Sequence, residues 1–113
     1  IMAVDPLVGG DVVLARKDTP SSYHVAVTHD DQFQGITWIT RGQDLYPSTH
    51  IHRLLQALMG WDAPAYRHHG LLVDEEGKRF AKRDRALTLR SLREAGKTPE
   101  QVLALAEKLA AQI

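Results

Sequence analysis

The sequence predicts an α/β layer structure closed by two helices, and three observations carry that expectation. Short β-branched runs bounded by turn residues share the first two thirds of the chain with a segment of helical period. Two stretches with helix start and stop signals complete it. At 113 residues, 43% apolar and 25% charged, there is room for one compact unit and not for two independent cores.

"DVVLAR", residues 11–16, follows Gly9-Gly10 and reads as a buried strand that ends at the turn chemistry of "KDTPSS". In "YHVAVTHDDQF" Tyr23, Val25 and Val27 alternate as in a strand, but the second half is too polar to continue one, so periodicity leaves this segment ambiguous. "GITWITRG" gives a strong strand signal, bracketed by Gly35 and Gly42, with Arg41 at its C-terminal edge. Three short strands make a thin sheet, and a parallel sheet needs helices on both faces. This chain has too few elements to cover itself, and Ile1 ahead of Met2 fits the same expectation of a piece cut from something longer.

"STHIHRLLQALMG" changes period. Ile51, Leu54, Leu55, Leu58 and Met59 make an amphipathic helix with Ser48 as expected N-cap and Gly60 as stop. "AYRHHGLLVDEEGKRFA" reads as an extended stretch ending in "LLV", a turn through Gly77 and a short return with Phe80 facing inward. "LTLRSLREAG" places Leu89 and Leu92 on one helical face and stops at Gly96. Thr98, Pro99 and Gln101 then supply an N-cap, a first-turn proline and a capping-box partner. Val102, Leu105, Ala106, Leu109, Ala110 and Ile113 keep helical spacing to the end, which predicts a packed C-terminus.

Composition excludes several classes. No apolar run approaches the length of a membrane span, and the first residues lack the basic lead of a secretory signal. Zero cysteines exclude disulfides and thiolate metal sites and fit a cytoplasmic protein. Of six histidines, His50 and His52 diverge by about 200° on a helix, and His68 and His69 face opposite ways in an extended segment. Without an HxxxH or Cys/His framework, no metal site is expected in the chain, and the histidines read as surface or half-buried side chains. Asp30-Asp31 reads as caps or solvated charge, with no second partner for acid-base work. Ser21 and Ser22 have no base placed by spacing, and no glycine-rich phosphate fingerprint is present.

The charge run "GKRFAKRDRA" stands apart in a chain of zero net charge. Residues 77–86 hold Lys78, Arg79, Lys82, Arg83 and Arg85, answered locally only by Asp84. A solvated face is the usual meaning of such a run. Here a turn glycine precedes it and Phe80-Ala81 anchors it, so it reads as a loop able to aim several cations at phosphates.

In their order, "YHVAV" followed by "DD", a "G-I-T" strand, "RG-x-DL" and a basic signature after a "D-x-x-G" turn resemble the glutamyl-tRNA synthetase family of class I aminoacyl-tRNA synthetases, nearest its glutamyl-Q branch. The resemblance runs from about Val4 to the final helices. It implies a Rossmann-like catalytic domain of which this chain is the C-terminal half. Residues 1–86 would be the partial nucleotide-binding domain, ending in a KMSKS-type loop, and 87–113 a two-helix cap. It also implies that "YHVAVTHDDQF" is mostly helix, against the counted alternation.

That loop is usually Lys-Leu-Ser-Lys-Arg and here reads Arg79-Phe80-Ala81-Lys82-Arg83. The match implies Lys82 as the catalytic contact to ATP phosphates, with Arg79 and Arg83 also binding ATP. Tyr23 and Arg41 match the residues that hold glutamate. Ala81 removes a hydroxyl donor and Arg79 changes the shape of a charge, which implies adenylation that is slower or absent. The implied partners are L-glutamate, ATP, Mg2+ and a tRNA: tRNA-Asp through queuosine in the glutamyl-Q branch, tRNA-Glu in the parent enzymes. The His-x-Gly-His signature and the zinc cysteines of relatives are absent and are expected in an N-terminal part outside this chain. The isolated piece is therefore expected to be inactive, and its exposed apolar faces offer a surface for dimerisation. Alternatives from other classes are a noncatalytic RNA-binding module that keeps the fold and a regulatory domain that only binds glutamate.

Overall fold

The computed structural model describes residues 2–78 and 88–111 and divides into two compact units, Ile1–His69 and Gly70–Ile113. In the first unit, helix α1 spans Tyr23–Phe33, strand β1 Trp38–Gly42, helix α2 Tyr46–Met59 and strand β2 Ala65–His69, with a 3-10 turn at Gln43–Leu45 leading into α2. The two strands pair in parallel, with Arg41 opposite His68 and Gly42 opposite His69. Parallel pairing requires a crossover, and α2 supplies it. α1 packs on α2.

Several expectations are corrected. Residues 11–16 form no strand: a strand exists only with a ladder partner, and this segment has none among the described residues. It instead lays half-buried Val12 and Leu14 beside Ile51, Leu54, Leu55 and Leu58 of α2, around a cleft of about 190 Å³. The sheet among the described residues accordingly has two strands and not three. "YHVAVTHDDQF" is helix α1, as the resemblance implied, started by Ser22, whose Oγ accepts from the Val25 amide at 3.3 Å. α2 begins earlier than its pattern suggests. Pro47 sits in its first turn and Ser48 lies inside it, so Leu45, without a side-chain cap, is the N-cap. Gly60 ends it in the left-handed region at φ 71°, as expected.

What α2 buries is the larger surprise. Its apolar stripe is only half covered, and Leu58 is 74% exposed. The buried residues are Thr49, His52 and Gln56, a polar stripe at spacings of three and four. α1 turns a polar stripe inward too, with Thr28 buried and His24 and Asp31 half-buried. No apolar side chain among the described residues is buried. A polar interior is tolerable only when hydrogen-bonded, and among the described residues no buried side-chain nitrogen or oxygen lacks a partner.

In the second unit, a turn at residues 74–78 is closed by the Asp74 amide donating to the Lys78 carbonyl at 2.7 Å. Asp74 Oδ1 accepts from the amides of Glu76 and Lys78, and Gly77 takes φ +80°. The expected inward placement of Phe80 and the rest of the return arm lie outside the described residues. Helix α3, Leu89–Glu94, and helix α4, Pro99–Ala110, each begin with a capping box, Thr88 with Ser91 and Thr98 with Gln101. Of the stripe expected to pack, Val102, Leu105 and Leu109 are half-buried and the other described residues of α4 are exposed, while Ile113 lies outside the described residues. Two short helices bury too little against each other to cover a full stripe.

Candidate functional site

β1 carries Arg41 one residue before its end, where the pleat turns the side chain toward the polar stripe of α2 and the register partner His68 on β2. The guanidinium is half-buried and held on several sides. Nη1 donates to His52 Nδ1 at 3.0 Å and reaches the Tyr23 hydroxyl at 3.5 Å. Nη2 donates to the Thr49 hydroxyl, and Nε reaches His68 Nε2 at 3.4 Å. The Tyr66 ring lies under the guanidinium carbon, 4.9 Å from centroid to Cζ.

Every one of these partners is a neutral acceptor or a π face. Among the described residues no carboxylate forms an ion pair with Arg41. A half-buried cation held only by neutral groups keeps its charge available for an incoming anion such as a carboxylate, with one of its five N–H groups left over by these contacts. Tyr23, 49% exposed, lies beside the guanidinium.

The histidine tautomers follow from the donors. An arginine N–H only donates, so His52 Nδ1 bears a lone pair and its Nε2–H donates to His24 Nδ1, 2.9 Å away. Burial, then Arg41 and His24, push His52 down to about 4, so it is neutral at physiological pH. His68 is pushed down by burial, then by Arg41 and His69. The Thr49 hydroxyl accepts from Arg41 and lies 2.9 Å from His68 Nε2. Beyond this ring Gln56 donates to the Tyr66 hydroxyl at 2.9 Å and accepts from Arg53 at 2.8 Å. Burial raises the Tyr66 phenol against the opposing pull of Gln56 and Arg41. Burial also raises Asp31, opposed by Arg41 and reinforced by Asp30.

These shifts predict acid sensitivity. Between pH 6.5 and about 4 the unfolded chain binds a proton at His52 that the folded chain refuses, so stability falls as pH falls through that window. The slope is at most about 1.4 kcal/mol per pH unit. His68 adds in the same direction, and Asp31 opposes it, because its raised carboxyl favours the protonated fold as pH drops. Urea unfolding at pH 7 and pH 4.5 should show a net loss of about 2 kcal/mol, removed by His52→Gln; equal stability at both values would contradict it.

The structure brings Tyr23 and Arg41 within 3.5 Å of each other. Lys82, Arg79 and Arg83 lie outside the described residues. Sequence reasoning passed over His24, Thr49 and Tyr66 and read His52 and His68 as surface or half-buried side chains, whereas His52 is 1% exposed; the available signal was the three-and-four spacing of Thr49, His52 and Gln56 on a helix credited with an apolar inward face. Three or more His, Cys, Asp or Glu side chains do not converge anywhere among the described residues in a way that could hold a metal ion.

A class of protein is defined once this site is set beside known sequences. The family model for class I tRNA synthetases (E and Q), catalytic domain, matches residues 2–112, and the chain belongs to that family. It is 50% identical over 93 residues to glutamyl-Q tRNA(Asp) synthetase of Rhodobacter capsulatus, covering 82% of this chain and 34% of that protein. Over 95 residues it is also 50% identical to glutamyl-Q tRNA(Asp) synthetase of Nocardia farcinica, covering 84% and 30%. Among solved structures, glutamate-tRNA synthetase from Elizabethkingia anophelis superposes with a TM-score of 0.58 at 43% identity, covering 66% of this chain and 15% of that one. The chain spans about a third of the length of these curated relatives.

Proposed function

We propose that this chain is the C-terminal half of the catalytic domain of an ATP-dependent ligase that activates glutamate and transfers it to tRNA, of the glutamyl-Q type. The observation that carries the reading is Arg41, a cation held by neutral partners beside the Tyr23 hydroxyl. Arg41 and Tyr23 bind a carboxylate of glutamate. The α-carboxylate oxygen attacks the α-phosphorus of ATP, the bond to the bridging oxygen breaks, and pyrophosphate leaves with that electron pair. A hydroxyl of the RNA then takes the glutamyl group and AMP departs. Lys82, with Arg79 and Arg83, serves the phosphates, where charge grows as pyrophosphate leaves. Residues 1–86 form the partial nucleotide-binding domain and 87–113 its helical cap, and the protein works in the cytoplasm. The names of the two bacterial relatives favour queuosine of tRNA-Asp as acceptor over tRNA-Glu.

The test is glutamate-dependent exchange of pyrophosphate into ATP by the intact gene product, followed by transfer of labelled glutamate. Exchange, and label on queuosine-containing tRNA-Asp, are expected, with no exchange by the 113-residue chain alone. Label on tRNA-Glu instead would move the assignment to the parent enzyme. Absence of exchange by the intact product would leave a noncatalytic module.

A further inference from the structure

Arg41 needs something to hold it in place while leaving its charge unspent. Of the neutral acceptors around it, the most deeply buried is His52, 1% exposed, with both ring nitrogens engaged at 3.0 and 2.9 Å. We infer that His52 is a positioning residue for glutamate recognition, its Nδ1 lone pair fixing Arg41 Nη1 while its Nε2–H is committed to His24. The inference rests on the proposal that Arg41 receives glutamate.

Chemistry explains why a histidine suits this position. A carboxylate there would orient Arg41 equally well but would pair with it, competing with the substrate for the same charge. An aliphatic side chain would leave Arg41 free to swing and Nη1 short of an acceptor. A neutral imidazole orients without neutralising, provided a second acceptor takes its other proton. His24 provides that acceptor, and the edge-on ring of Tyr23, 5.6 Å from His52, closes the remaining side. The groups facing His52 are therefore Tyr23 and His24 from α1 and Arg41 from β1, none of them acidic.

Three substitutions in the intact gene product separate positioning from mere packing. His52→Leu should raise the KM for glutamate about tenfold and leave the KM for ATP unchanged. His52→Gln, which can accept from Arg41 and donate to His24, should restore most of that loss. His52→Glu should keep or raise the melting temperature yet raise the KM for glutamate by at least about tenfold, a split that a packing role does not produce. Equal behaviour of the Leu and Gln variants, or a His52→Glu enzyme with an ordinary KM for glutamate, overturns the inference. Arg41→Ala measured alongside keeps the two readings apart. If it leaves the KM for glutamate unchanged, glutamate recognition by Arg41 fails and takes the role of His52 with it. If it raises that KM while His52→Leu does not, only the role of His52 is lost.

Discussion

Arg41→Ala in the intact gene product should lower kcat/KM for glutamate in pyrophosphate exchange by about a thousandfold. The magnitude follows from the cost of removing one partner of a hydrogen-bonded charge pair, about 2–5 kcal/mol, at about 1.4 kcal/mol per tenfold. Alanine also strands the groups that Arg41 satisfies: the buried His52 Nδ1 and Thr49 hydroxyl lose their donor. Arg41→Lys isolates the geometric part. An ammonium keeps the charge, but it cannot meet His52, Thr49 and His68 as the planar fork does. A loss of about a hundredfold is expected for it. Both losses should fall on glutamate, with the KM for ATP unmoved. A lysine variant as active as the parent would mean that charge alone suffices and that the neutral ring around Arg41 has another purpose.

Arg41 is legible in the sequence as the C-terminal edge of a strong β pattern, and its match to a residue that holds glutamate comes from the resemblance. Tyr23 becomes legible only through resemblance, since its own segment alternates like a strand and folds as a helix. Its N-cap Ser22 and the tie from the Thr28 hydroxyl to the His24 carbonyl at 2.7 Å decide that segment locally. His52 is hidden for a different reason. Its partners stand 28 residues before it and 11 residues before it, beyond any window of periodicity. The leucines of α2 also direct attention to the opposite face, yet the sheet side of that helix is filled by donors and acceptors from α1, β1 and β2. Polar side chains that satisfy one another can occupy an interior that the hydrophobic pattern assigns elsewhere. The segment at residues 11–16 fails in the converse way: its composition suits a strand, but a ladder needs a partner that local composition cannot supply.

Lys82→Ala should lower kcat for glutamate-dependent exchange by about a hundredfold, the range expected when one fixed donor to a developing negative charge is lost. Its signature should be the opposite of that of Arg41. Charge on the leaving pyrophosphate grows only as the bond to the α-phosphorus breaks, so in its proposed role Lys82 would stabilise the transition state more than bound ATP, and kcat should fall while the KM for glutamate stays put. The altered spelling of the loop sharpens the expectation. Ala81 supplies no hydroxyl where the usual motif has serine, so in the proposed role Lys82, Arg79 and Arg83 would carry a larger share, and Ala81→Ser should raise kcat where the donor is limiting. Combining Arg41→Ala with Lys82→Ala should then multiply the two losses, because one acts on substrate capture and the other on the departing phosphates. A Lys82→Ala enzyme that exchanges pyrophosphate at the parental rate would remove catalysis from the basic loop and return "GKRFAKRDRA" to a charged face of a module that binds RNA without activating glutamate.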